Sequence, residues 1–167
     1  MKAKENYEII IEHHPHYQSL NEKILEYAST VEFEKRFDKI GAAMTNLRIP
    51  PNPSVTLIKN WVEQLVVRKW KYATNVWAAD ISDTWMVKYR VGDQSFPHDH
   101  RMSLLSFVYF VHSPKGSSPL VFTTSGKKVK PEEGRVAIFP ANVLHHVPKN
   151  RGEGRLVLAG NLEFRFK

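Results

Sequence analysis

The sequence predicts a mainly β domain, a distorted jelly roll buttressed by N-terminal helices. Three observations carry that expectation. From about residue 74 onward, TWMVKYRV (84–91), SLLSFVYFV (103–111), PLVFTT (119–124), GRVAIFP (134–140) and RLVLAGNLEFRF (155–166) are short and rich in β-branched and aromatic residues, and GD, PKGSSP, SGKK, PEEG and KNRGEG separate them. Two stretches with helical spacing lie ahead of them. Helices come first as a block and strands follow, which argues against a parallel doubly wound sheet and for a sandwich or small barrel.

The elements read in order as follows. Ser19 with Glu22 three residues on forms a capping box, and Leu20, Ile24 and Ala28 then share one face. Phe33, Phe37 and Ile40 extend that period to Gly41, a helix stop. TNLRIPPNPSV follows, whose three prolines make a rigid connector. Ser54 then caps a second amphipathic helix with Leu57, Ile58, Trp61, Val62 and Leu65 as its stripe. No repeat or flexible linker interrupts the chain. The expectation is one domain over 1–167, helical over about 1–73 and jelly roll over about 74–167.

Composition bounds the chemistry. The 167 residues suffice for one packed core, and no apolar run approaches the ~20 residues of a membrane helix. Residues 1–17, MKAKENYEIIIEHHPHY, lack the apolar core of a secretory signal, so the expected location is the cytoplasm. With no cysteine, any metal must be held by His, Asp or Glu. The net charge of +7 is scattered apart from SGKKVKPEEGR (125–135), and no nucleic-acid motif accompanies it, so it reads as a solvated surface.

The distinctive stretch is HDH at 98–100, beside an apolar run. On a strand, residues i and i+2 point to one face, which brings His98 and His100 together and turns Asp99 away. FPANVLHHVPKN offers a third imidazole, His145 or His146, from a strand that folding brings alongside. Three nitrogen donors from two strands cap one face of an octahedral ion and leave positions open for substrates. HHPH at 13–16 and His112 read as surface and loop residues. Arg155 opens RLVLAGN, and its guanidinium clamps a carboxylate in bidentate fashion if it points into the same hollow. Alternation then puts Val157, Ala159 and Asn161 on that face and Leu156, Leu158 and Leu162 in the core.

His-x-(Asp or His), a distal His, and Arg ten residues on resembles the Fe(II)- and 2-oxoglutarate-dependent oxygenases. More narrowly, HDHRMSLLSFVYFV, PLVF, GRVAIFPANVLHHVPKN and GRLVLAGNLEF resemble the short 2-oxoglutarate oxygenases of phages and marine bacteria, over roughly residues 84–164. The resemblance implies a double-stranded β-helix holding Fe(II) through His98, His100 and His145, with His146 at a variable place. It further implies that Arg155 binds the distal carboxylate of 2-oxoglutarate, that Tyr109 adds a hydroxyl to it, and that Asn161 closes the family's RxSxSxN pattern as part of the cosubstrate site. The expected reaction consumes O2 and 2-oxoglutarate and hydroxylates a peptide, nucleotide or small acid. The location would be the host-cell cytoplasm for a phage-encoded chain, and the helices either cover the sheet or mediate a homodimer.

Two departures stand out. The family's usual acidic ligand is His100 here, unless Asp99 reaches the metal through a β-bulge. The family's serines are Val157 and Ala159, which makes the pocket wall more apolar. Three rivals remain open: a three-His cupin-type dioxygenase that uses no 2-oxoglutarate, a non-catalytic metal- or ligand-binding jelly roll, and a basic nucleic-acid-binding module.

Overall fold

The computed structural model describes residues 7–70 and 76–166, so the expected helix-to-strand boundary near residue 74 lies outside the described residues. The first strand, β1 (Ile10–His13), precedes helix α1 (Tyr17–Ala28). Three two-residue strands follow, β2 (Glu34–Lys35), β3 (Ile40–Gly41) and β4 (Ala43–Met44), then helix α2 (Pro53–Lys69). The remaining strands are β5 (Val76–Tyr89), β6 (Gln94–His98), β7 (Leu105–His112), β8 (Leu120–Phe122), β9 (Lys128–Val129), β10 (Arg135–Pro140), β11 (His145–Val147) and β12 (Arg155–Phe166). They form two antiparallel sheets, one ordered β1-β10-β7-β12-β5-β4-β2 and the other β3-β6-β11-β8-β9.

The near-continuous apolar runs of the central strands have a direct cause. Strands buried on both faces cannot alternate apolar with polar. In β7, Phe107, Tyr109 and Val111 face α1 and α2, while Val108 and Phe110 face the second sheet. In β12, Leu156, Leu158 and Leu162 pack toward the helices, and Val157 and Ala159 point between the sheets, as the alternation predicts. The helices thus cover the large sheet's outer face with Leu20, Ile24, Val55, Ile58, Val62 and Leu65. The space between the two sheets is left for the site.

All five strand segments expected from the sequence form. The N-terminal third departs from expectation. Ser19 is not a cap: α1 begins at Tyr17 after His16, and the Ser19 hydroxyl reaches back to the His16 carbonyl at 3.4 Å. The helix ends at Ala28, where the hydroxyls of Ser29 and Thr30 donate to the carbonyls of Glu26 (2.6 Å) and Tyr27 (2.8 Å) and compete with the helical ladder. Phe33, Phe37 and Ile40 therefore share no helix face. Phe37 is 88% exposed, and Ile40 joins β6 through β3. Sheet pairing has overridden a local period. Gly41 is a strand residue, and a Cβ there would lie 3.1 Å from the Gln94 carbonyl oxygen.

The second helix is capped by Asn52, not Ser54. The Asn52 Oδ1 accepts from the backbone N–H groups of Ser54 (3.0 Å) and Val55 (3.2 Å), and Pro53 occupies the first helical position. Its buried stripe is Val55, Ile58, Val62, Leu65 and Val66, and Leu57 stays exposed. No helix among the described residues is long and apolar enough to cross a membrane.

Candidate metal centre

The short strands β6 and β11 pair so that His98 sits directly opposite His145. One residue pair further, Val147 lies opposite Ser95, so two residues of β6, Phe96 and Pro97, stand against His146 alone. This bulge turns both Ser95 and His98 into the space between the sheets. Proline cannot donate to the ladder and suits this position. β6 ends at His98, so His100 lies beyond the strand, where its backbone N–H donates to the Ala141 carbonyl at 2.7 Å. The HxH spacing brings two rings together, but through a bulge and a turn and not through regular alternation.

The rings of His98 and His145 have centroids 4.5 Å apart, and His100 lies 5.3 Å from each. One potential ligand atom from each of the three comes within 4.8 Å of the others. The same local device orients two of them. Nδ1 of His98 is 2.7 Å from the Phe96 carbonyl oxygen, and Nδ1 of His145 is 2.9 Å from that of Val143. A carbonyl only accepts, so both Nδ1 atoms carry the proton and both Nε2 atoms keep a free lone pair. Burial disfavours the charged imidazolium and lowers all three pKa values, to about 4 for His100 and about 3 for His145. The rings are neutral at pH 7 and ready to bind a cation.

The neighbouring candidates point elsewhere. Asp99 Oδ2 accepts from Arg101 Nε at 2.6 Å, outside the cluster, and that bond holds its carboxyl below the usual range. His146 Nδ1 lies 2.8 Å from the Thr123 hydroxyl. His112, at the end of β7, contacts Glu133 at 2.9 Å. The 13–16 histidines lie around the start of α1, where His14 packs against Trp61.

Arg155 opens β12 directly opposite Tyr89 of β5 and lines the same cleft as the three histidines. It is fully buried. Its guanidinium carbon lies 4.5 Å from the Tyr89 ring centroid and 5.5 Å from that of Phe110. None of its three nitrogens has a hydrogen bond of ordinary geometry, and no carboxylate among the described residues pairs with it. Burial pushes its pKa down, and the Tyr89 phenol opposes that shift only in part. Leaving an uncompensated charge in a protein interior costs several kcal/mol. The chemistry such a group lacks is an anion with two acceptor atoms.

Two expected cosubstrate contacts are not brought to Arg155. Tyr109 faces the helices on the other side of the large sheet, because β7 alternates and the cleft side belongs to Val108 and Phe110. Its hydroxyl donates to Asn21 Oδ1 at 2.8 Å, and burial raises its pKa. Asn161 follows Arg155 by six residues on the same strand, about 20 Å at 3.3–3.4 Å per residue, too far to share one carboxylate. Its Oδ1 accepts from the Ser106 hydroxyl at 2.9 Å.

The sequence reading missed Tyr89 and Trp85. Both lie on the cleft-facing row of β5 with Val87. The alternation Trp85, Val87, Tyr89 within TWMVKYRV is the signal that marks them. The cleft holds about 460 Å³ free of protein atoms, its open mouth included, and apart from Ser95 and Ser106 its remaining walls are apolar, among them Val87, Val108, Leu120, Phe139, Val157 and Ala159.

No protein-family model matches the chain, and no curated protein matches it. Solved structures do. A prolyl-4-hydroxylase from Pseudomonas putida superposes with a TM-score of 0.72 at 17% identity, over 96% of this chain and 94% of its own. The viral collagen prolyl hydroxylase of Paramecium Bursaria Chlorella virus-1, solved with 2OG, gives 0.70 at 13%, over 93% and 94%. HygX from Streptomyces hygroscopicus, solved with nickel and 2-oxoglutarate bound, gives 0.64 at 10%, over 93% and 82%. The shared feature is the fold, a double-stranded β-helix.

Proposed function

We propose that this chain, as a single domain, is an Fe(II)- and 2-oxoglutarate-dependent oxygenase that hydroxylates its substrate with release of succinate and CO2. The observation that carries the reading is the unpaired guanidinium of Arg155 in the same cleft as three neutral, converging imidazoles. The residues fit both absent groups: a cation matches the nitrogen donors, and a dicarboxylate matches the orphaned guanidinium. The structural neighbours, prolyl hydroxylases and a protein solved with nickel and 2-oxoglutarate, point the same way.

In this reading His98, His100 and His145 hold the metal. Fe(II) supplies the coupling of O2 reduction to decarboxylation of 2-oxoglutarate and to insertion of one oxygen atom into a C–H bond of the substrate. The chain's own part is binding, orientation and exclusion of water. The Phe96 and Val143 carbonyls fix the two Nδ1 protons and so aim two Nε2 lone pairs. Arg155 receives the distal carboxylate, with Tyr89 and Phe110 as walls against its guanidinium faces. Arg155 lies four residues along β12 from Ala159, which pairs with Trp85 at the level of His100. That is about 13 Å of strand, a gap that the arginine side chain and a bound diacid fill together. Ser106 and Asn161 lie two pairs beyond Ala159, on the side away from Arg155, and suit the primary substrate. No side chain has to act as a general base.

The test is turnover of 2-oxoglutarate to succinate by the iron-loaded protein, with His145→Ala beside it. Succinate formation that survives this substitution ends the assignment. His100 in place of a carboxylate favours one second reading, a three-His dioxygenase in which Arg155 clamps the substrate's own carboxylate. Anaerobic calorimetry separates the two, because that enzyme loaded with Fe(II) binds no 2-oxoglutarate.

A further inference from the structure

The three imidazoles are not supported alike. His98 and His145 each have Nδ1 fixed on a backbone carbonyl two residues back. Among the described residues the His100 ring makes no hydrogen bond; only its backbone is tied, the N–H to the Ala141 carbonyl and the carbonyl to the Ser103 N–H. The segment after it is a turn that ends with Met102 at 95% exposure. A long side chain on such a turn has no built-in reason to keep one ring orientation. What lies against it is Trp85, with ring centroids 5.5 Å apart and planes 26° apart, and beyond His100 the His145 ring continues the stack at 5.3 Å and 15°.

Trp85 is a rigid platform. It is 5% exposed and sits in β5, which is hydrogen-bonded to β12 on one side and to β4 on the other. Its direct partner across β12 is Ala159, whose small side chain leaves the indole room over the cleft. The indole makes no hydrogen bond to the protein among the described residues, so its contact with His100 is through the ring face. A face restrains the tilt of an imidazole without occupying either nitrogen, whereas an arrangement that tied up a nitrogen on each side would leave none for a metal.

We infer that Trp85 is the positioning residue for His100: its indole face does for the third ligand what the Phe96 and Val143 carbonyls do for the other two. The inference rests on the three-His metal centre proposed above. It makes His100 the ligand whose hold on the metal depends on an aromatic surface, so the aromatic character of residue 85 matters more than its volume.

Cobalt(II) provides the probe, since its visible spectrum reports ligand number and geometry without turnover. Metal-free wild-type protein, Trp85→Leu, Trp85→Met, Trp85→Phe, His100→Ala and the Trp85→Leu/His100→Ala pair are titrated, with the far-UV circular dichroism of each recorded. The expected result is about tenfold weaker cobalt binding in Trp85→Leu, with a spectrum moved toward that of His100→Ala. Trp85→Phe binds within about threefold of wild type, since a phenyl ring keeps a stacking face. In the His100→Ala background Trp85→Leu adds no further loss, because its effect passes through a ring no longer present. Trp85→Met stands in if the leucine variant does not fold. Wild-type affinity and spectrum in the folded non-aromatic variants, or a full additional loss on top of His100→Ala, overturns the inference. Failure of the underlying metal centre shows differently: wild type then binds no cobalt, or His145→Ala binds it as well as wild type does.

Discussion

Replacing Arg155 by methionine should make the ligand-free protein more stable and unable to bind 2-oxoglutarate, two effects of opposite sign from one substitution. The side chain is fully buried, and none of its three nitrogens has a hydrogen bond of ordinary geometry, with the nearby Tyr89 phenol opposing the burial only in part. An uncompensated buried charge costs on the order of 3–5 kcal/mol. The faces of Tyr89 at 4.5 Å and Phe110 at 5.5 Å return up to ~2 kcal/mol of that. Methionine keeps the unbranched shape and removes the charge, at about 1 kcal/mol for imperfect filling. With the aromatic faces at their full value the balance is a gain of roughly 0–2 kcal/mol, or up to about 8 °C in Tm for a chain of this size. Differential scanning fluorimetry of metal-free wild type and Arg155→Met reads this directly. Adding Mn(II) and 2-oxoglutarate at 100 times Kd then raises wild-type stability by about 2.7 kcal/mol and leaves the variant where manganese alone puts it. The stability order of the two proteins inverts between the two conditions. A variant that melts lower than wild type without ligand, yet rises as far as wild type with 2-oxoglutarate, refutes the claim that this guanidinium is held unpaired for an anion.

Other outcomes follow from the same geometry. Tyr109→Phe removes the hydroxyl that donates to buried Asn21 and should cost about 1–2 kcal/mol in chemical denaturation, with 2-oxoglutarate affinity unchanged; a weakened affinity would return Tyr109 to the cosubstrate site. The metal-free protein should lose stability as pH falls below 6.5, because the unfolded chain then takes up protons that His100 and His145 refuse until about pH 4 and about pH 3. Each contributes up to about 1.4 kcal/mol per pH unit in that window. Urea midpoints that coincide at pH 7 and pH 5 would contradict the burial of these rings. Asn52→Ala should cost about 1 kcal/mol by removing the α2 cap, and Ser54→Ala, where the cap was expected, should cost less in the same measurement.

How much of the molecule the sequence discloses depends on the kind of information each feature needs. The five expected strands of the jelly roll are legible because burial on both faces leaves unbroken apolar runs that turn residues interrupt. The stripe of α2 is legible because 3.6-residue spacing is local, although Leu57 shows that the stripe's edge is not. The two-residue strands around 34–44 are hidden, since so short a pairing has no propensity of its own and forms only because β5 and β6 present edges to it. The caps are misplaced for the same reason: His16 and Asn52 win over Ser19 and Ser54 through the path the chain takes into each helix.

At the site, the residue types and their order along the chain pointed to His98, His100 and Arg155 and left His145 and His146 as alternatives, between which only the family resemblance chose. Which candidates meet was decided by tertiary structure. Only the bulge at Phe96 and Pro97 turns His98 inward, only the alternation of β7 against two different cores sends Tyr109 to the helices, and only the register of β12 on β5 sets Tyr89 against Arg155 and Trp85 beside His100. A sequence lists donors and acceptors one after another, whereas a pocket depends on which faces of distant strands are turned toward each other, and that is fixed by the packing of the whole sandwich.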